Sequence, residues 1–203
     1  MTSGRWRQWG GAPANEGRLT SRPGPPTEAA ASGMQPLGLA SERDGLLYVP
    51  AGYSPDRPAP FVLSFHGAGG NEQGGLWPFQ EHADVRGLVV LAVASRGPTW
   101  DVIRGGYGPD VELIDRALAY AFARCAVDPS RLAVGGFSDG ASYALSLGLT
   151  NGDLFSHVVA FSPGFAAPAD EVGRPRVYVS HGVNDEVLPI DRCSRRLVPM
   201  IQN

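Results

Sequence analysis

An apolar run at residues 131–135 leads without a break into Gly136-Phe137-Ser138-Asp139-Gly140, and a helical pattern follows at residues 141–149 until Asn151-Gly152 ends it. A strand, a tight turn and a helix in direct succession force the middle serine onto a strained backbone. Only small neighbours let the strand and helix come that close, and Gly136 and Gly140 supply them. Ser138 is then lifted above the end of a sheet, with the first N–H groups of the helix aimed at any anion beside it. A chain with 27 glycines can show Gly-x-Ser-x-Gly by accident. The strand before it and the helix after it argue against accident here.

The rest of the chain repeats the alternation. Residues 46–49 form a short apolar run before Pro50, read as an edge strand. Residues 61–65 read as a buried strand ending at His66-Gly67-Ala68-Gly69-Gly70, followed by a helix over 77–86 and a strand over 88–94. Residues 110–125 give the strongest helix: Val111, Ile114, Leu118, Ala121, Phe122 and Cys125 share one side, with Glu112, Asp115 and Arg116 opposite and Asp110 as N-cap. Strands follow at 157–161 and 176–180, and a last helix near Asp191. This order predicts an α/β fold, a mostly parallel sheet covered on both faces, with its site beyond the carboxyl ends of the strands. Residues 1–40 are rich in Gly, Pro, Ala, Ser and Arg and show neither period, so they are expected to be a disordered tail, Trp6 and Trp9 included. The domain is then residues 41–203.

Composition narrows the chemistry. The 17 basic side chains are all arginine, which excludes Schiff bases, Ser-Lys dyads and a P-loop lysine. A net charge of -3 gives no reason to expect nucleic acid as partner. Cys125 and Cys193 are neither a disulfide framework nor a metal-ligand pair, and no metal site is expected. Lacking an apolar leader or a membrane-length apolar run, the chain is expected to be cytoplasmic with no membrane span.

Four motifs together resemble one family. His66-Gly67-Ala68-Gly69-Gly70, Gly136-Phe137-Ser138-Asp139-Gly140, Phe161-Ser162-Pro163-Gly164, and His181-Gly182-Val183-Asn184-Asp185 with Leu188-Pro189 are similar to those of serine esterases. The group is the phospholipase/carboxylesterase and polyhydroxybutyrate-depolymerase-like α/β-hydrolases. The resemblance implies a three-layer sandwich, a nucleophile at Ser138, an acid at Asp185, and oxyanion N–H donors at Ala68 and Asp139. It implies a small-molecule carboxylic ester as substrate and no cofactor. Trp100 and Tyr107, after a strand end, are expected to line the substrate cleft, and Trp77 and Phe79 are further aromatic candidates. The Asp139 carboxylate is expected to cap the helix start.

A serine hydroxyl needs a base titrating near neutrality, and this fold orders its triad Ser, Asp, His along the chain. The histidines are 66, 82, 157 and 181, and none follows Asp185. His66 is expected to shape its loop, His82 to be exposed or capping, and His157 and His181 to be structural. The domain is therefore expected to be C-terminally incomplete, its last strand and helix missing and the base lying beyond residue 203. Residues 176–180 would then be an open sheet edge, inviting self-association. A hydrolase-like binding protein and a peptidase or thioesterase on the same fold are the alternatives.

Overall fold

The computed structural model describes residues 17–202. Among them, β1 (Gly33–Pro36), β2 (Gly45–Val49), β3 (Ala59–Phe65), β4 (Val89–Val93), β5 (Val127–Phe137), β6 (His157–Phe161) and β7 (Arg176–Ser180) join in one sheet, ordered β1-β2-β4-β3-β5-β6-β7. From β4 to β7 every neighbouring pair is parallel; β1 and β2 are antiparallel additions. β3 and β4 are nearly continuous apolar runs because both their faces are covered.

The helices are α1 (Glu72–Arg86), α2 (Pro109–Arg124), α3 (Asp139–Thr150) and α4 (Ser194–Gln202). α2 and α3 belong to the larger core, with Ile114, Leu118, Phe122, Tyr143, Leu147, Phe61, Leu63, Phe65 and Trp100 buried together. α1 covers the opposite face through Leu76 and Ala83 on Val62, Val90 and Ala92. The expected three-layer α/β-hydrolase sandwich is thus present. On the α1 face, the part of the sheet built by β5 to β7 stays open: Phe137 and Tyr178 are exposed there, and β7 is the sheet's edge.

Three expectations change. β2 is interior rather than an edge, because β1 pairs outside it. Helix α1 starts at Glu72, capped by the Asn71 side chain on the Gly74 N–H at 3.1 Å. Its glycine-rich first turn hid it from a period search. The tail boundary at residue 40 is not where order begins. Residues 33–36 are a strand, Leu19 is buried, Arg18 pairs with Asp153 at 2.8 Å, and Asn151 holds both the Leu19 N–H and the Gly17 carbonyl at 2.8 Å. Side-chain-to-backbone bonds hold this segment, and they leave no hydrophobic period to read. Trp6 and Trp9 lie outside the described residues.

Candidate active site

Ser138 sits between β5 and α3 at φ 56° and ψ −119°, a conformation costly for any residue with a Cβ. The turn is forced by close approach. A Cβ on Gly136 would lie 2.6 Å from the carbonyl carbon of Gly140, and one on Gly140 would lie 2.5 Å from the His66 carbonyl oxygen and run into that of Phe65. Real Cβ atoms do not come that close to backbone, so the glycines are obligatory. The Ser138 N–H continues the sheet ladder to the Phe161 carbonyl at 2.9 Å, and the Ser162 N–H does the same to Ser180 at 2.7 Å. The loops after β5, β6 and β7 are therefore stepped together at one end of the sheet.

The glycine loop after β3 lies against the serine: a Cβ on Gly67 would stand 3.5 Å from that of Ser138. Within this loop the Gly69 N–H donates to Pro98 at 2.8 Å and that of Gly70 to Gly67 at 3.0 Å. The N–H groups of Ala68 and Asp139 donate to no protein acceptor among the described residues. His66 is buried, donates from Nδ1 to the Gly67 carbonyl at 2.6 Å and accepts the Ser95 N–H on Nε2 at 3.0 Å. Burial pushes its pKa down, so it stays neutral with both nitrogens engaged. Arg43, unnoticed in the sequence, braces the loop from outside through the Gly70 carbonyl at 2.9 Å and Ser95 Oγ at 3.0 Å. Its positive φ of 50° turns it inward.

Asp185 lies in the loop past β7, two strands from β5, and those two strands run about 9.5 Å apart across the sheet. Oδ1 of Asp185 accepts the N–H of Leu188 at 2.8 Å and of Val187 at 3.0 Å, and these bonds hold its pKa below the usual carboxylate value. His181 stands 3.5 Å from Oδ2, but its Nε2 donates to Leu188 at 2.6 Å and its Nδ1 meets Ser194 Oγ at 2.6 Å. Both of its nitrogens are committed away from the serine. His157 bonds Ser156 at 2.8 Å, and His82 is exposed on α1. No histidine hydrogen-bonds Ser138 among the described residues.

Trp100 and Tyr107 do not line a cleft. Trp100 is 0% exposed, stacked on Tyr143 at 4.7 Å, with Nε1 donating to the His66 carbonyl at 3.0 Å. Tyr107 is buried and donates to Ala167 at 3.1 Å. Both belong to the core, which their place after a strand end did not reveal. Trp77 is exposed instead and, with Pro78, Glu81, Phe137 and Phe161, lines a hollow of about 340 Å³ beside the elbow, which Phe79 supports by packing on Phe161. The Asp139 carboxylate does not cap α3; it accepts the Thr99 hydroxyl at 2.6 Å.

A stripe on α3 does what no motif search shows. Ser142, Ser146 and Thr150 recur every four residues; each hydroxyl donates to the carbonyl four residues back, at 2.7–3.3 Å. They accept the N–H groups of Gly164, Ala167 and Ala169 at 2.9, 2.9 and 3.2 Å. The loop after β6 is thereby fastened along the nucleophile helix. The i, i+4 spacing of small hydroxyls was the signal available in the sequence.

Asp110, expected as N-cap, is instead the second residue of α2 and is buried. Its carboxylate accepts the N–H of Arg96 at 2.5 Å and of Asp101 at 2.7 Å, while Asp101 accepts the N–H of Gly108 at 2.8 Å and of Asp110 at 3.0 Å. Burial raises the Asp110 pKa to about 6. The folded form therefore keeps a proton that the unfolded chain releases near pH 4. The resulting stability is complete below about pH 4 and is lost as pH rises through about 6. The stability advantage of the parent over Asp110→Asn is expected to be larger at pH 5 than at pH 7. Thermal melts of both proteins at the two pH values measure it, and an advantage that grows toward pH 7 contradicts the assignment.

Residues 111–199 match the phospholipase/carboxylesterase family. Feruloyl esterase C of Emericella nidulans is 27% identical over 158 residues, which are 73% of this chain and 57% of that protein. An acetylxylan esterase of Coprinopsis cinerea is 35% identical over 112 residues, 49% of this chain and 29% of its own. A ferulic acid esterase of Anaeromyces mucronatus, solved with ferulic acid, superposes with a TM-score of 0.60 at 18% identity, over 90% of this chain and 82% of that one. The chain thus spans somewhat over half the length of feruloyl esterase C. No helix among the described residues is long and apolar enough to cross a membrane. The sheet order, the strained serine turn and these likenesses agree on the fold: the chain is an α/β-hydrolase in architecture, and its residues 111–199 are similar to the phospholipase/carboxylesterase family.

Proposed function

We propose that this chain carries the nucleophile, acid and oxyanion donors of a serine carboxylesterase, with Ser138 forming the acyl-enzyme. One observation carries the reading. Ser138 is held at φ 56° on a turn flanked by two unengaged N–H groups, those of Ala68 and Asp139. The Ser138 hydroxyl attacks the ester carbonyl, the developing oxyanion takes up both N–H groups, and the alcohol leaves. Water then releases the acid and restores the serine. Asp185, held by two backbone N–H groups, orients the base and offsets its charge.

The base itself is proposed to come from polypeptide beyond residue 203. The placement of Ser138 and Asp185 after β5 and β7, two strands apart, the open edge at β7 and the uncovered aromatic face at Phe137 and Tyr178 support this. If left open, the same edge is a route to self-association. The feruloyl and acetylxylan esterases among the relatives suggest an ester of a hydroxycinnamic or acetic acid on a carbohydrate. The buried, unpaired Cys125 and Cys193 are in keeping with a reducing, cytoplasmic setting. A second reading, a hydrolase-like protein that binds an ester or acyl group without turning it over, is favoured by the commitment of both nitrogens of His66 and His181.

The test is turnover of nitrophenyl acetate and methyl ferulate by the 203-residue chain and by the chain continued with the coding sequence that follows. The esterase reading expects slow turnover by the first and a gain of 10³-fold or more in the second. Equal, serine-independent rates in both would favour the binding protein. A preference for thioester or peptide substrates would move the assignment to the other hydrolase classes.

A further inference from the structure

The segment after β4 touches both arms of the site. On the glycine-loop side, its Ser95 N–H donates to His66 Nε2 at 3.0 Å, the Pro98 carbonyl accepts the Gly69 N–H at 2.8 Å, and Trp100 Nε1 donates to the His66 carbonyl at 3.0 Å. On the nucleophile side, Thr99 Oγ1 donates to Asp139 Oδ2 at 2.6 Å. Consecutive residues, Pro98 and Thr99, therefore hold one donor-bearing segment each.

We propose that Thr99 is a positioning residue whose hydrogen bond to the Asp139 carboxylate sets the spacing between the oxyanion donors, the N–H groups of Ala68 and Asp139. The proposal rests on the esterase reading of Ser138. Its physical basis is the weakness of the α3 start. Ser138, the N-cap, offers no side-chain hydrogen bond to the first turn, and its strained backbone favours relaxation. An anchor from outside the helix replaces the missing cap. The anchor is itself rigid: Trp100 is fully buried against Tyr143, and Arg96 and Asp101 are tied by their N–H groups to Asp110. Without the Thr99 hydroxyl, the Asp139 carboxylate is free to rotate, and the two donors lose their common reference.

An arylboronic acid tests this without requiring turnover. Ser138 Oγ adds to trigonal boron, a B–O bond forms, the hydroxyl proton passes to buffer, and the four-coordinate boronate carries the negative charge that the two N–H groups receive. Affinity is measured by ¹¹B NMR titration. Thr99→Val is expected to weaken binding about tenfold, a loss typical of a hydrogen bond to a charged group. Thr99→Ser, which keeps the hydroxyl, is expected to stay within about twofold of the parent. Asp139→Ala should lose as much as Thr99→Val, and the double variant no more than either, since both remove one bond. Unchanged binding in Thr99→Val, equal loss in Thr99→Ser, or additive losses in the double variant would overturn the proposal while leaving Ser138 as nucleophile. Boronate binding that survives in Ser138→Ala would instead overturn the esterase reading and the proposal with it.

Discussion

Replacing Ser138 by alanine is expected to remove all specific ester hydrolysis, and replacing it by glycine to do so while making the protein more stable. With a base in place, loss of the nucleophile costs on the order of 10⁶-fold in kcat. The stability effect comes from the backbone. Ser138 has φ 56° and ψ −119°, where strain of roughly 1–3 kcal/mol is usual for a residue with a Cβ. Glycine adopts that conformation freely but loses about 0.5–1 kcal/mol more through its flexible unfolded chain. Strain relief outweighs that cost, so Ser138→Gly is expected to gain about 1 kcal/mol over the parent and Ser138→Ala to gain little. Urea unfolding midpoints measure it. A destabilised glycine variant would mean that the turn is not strained.

Gly140→Ala is expected to damage fold and site together. Alanine is the better helix former by about 1 kcal/mol, and Gly140 sits in the first turn of α3. Its methyl group, however, would lie 2.5 Å from the His66 carbonyl oxygen and run into that of Phe65. Neither neighbour is a flexible side-chain end, so the helix or the β3 loop must shift, at a cost of about 3 kcal/mol or more. The clash outweighs the propensity. A displacement of the helix start by even 1 Å would separate the two donors from the oxyanion and lower turnover about 10²-fold. Equal stability and activity in the variant would contradict the close approach on which the elbow rests.

How much of this was legible depended on whether the information was periodic. β6 and β7 fall where their apolar runs put them, at 157–161 and 176–180, and the 110–125 pattern is α2 to within a residue at each end. The glycines of the elbow were readable because only close backbone approach demands them in that order. Hydrogen bonds between distant residues leave no such trace. Arg43, Thr99 and the Asp101–Asp110 pair act through backbone groups remote in sequence, so nothing local marks them. Trp100 and Tyr107 show the opposite failure. Aromatic residues after a strand end suggest a cleft, yet their rings fill the core beneath it. The segment at 18–36 carries no apolar period to read, because polar groups and pairing with β2 hold it down.

The most direct test of the central claim, that Ser138 is an esterase nucleophile, is to incubate the chain, continued past residue 203, with a fluorophosphonate and locate the adduct by peptide mass spectrometry. Ser138 attack forms a P–O bond and expels fluoride, leaving a stable mass increase. Stoichiometric labelling is expected on the peptide holding Ser138, matched by loss of nitrophenyl acetate hydrolysis and absent from Ser138→Ala. Esterase turnover that persists with Ser138 unlabelled, or labelling that settles on another residue, would contradict it.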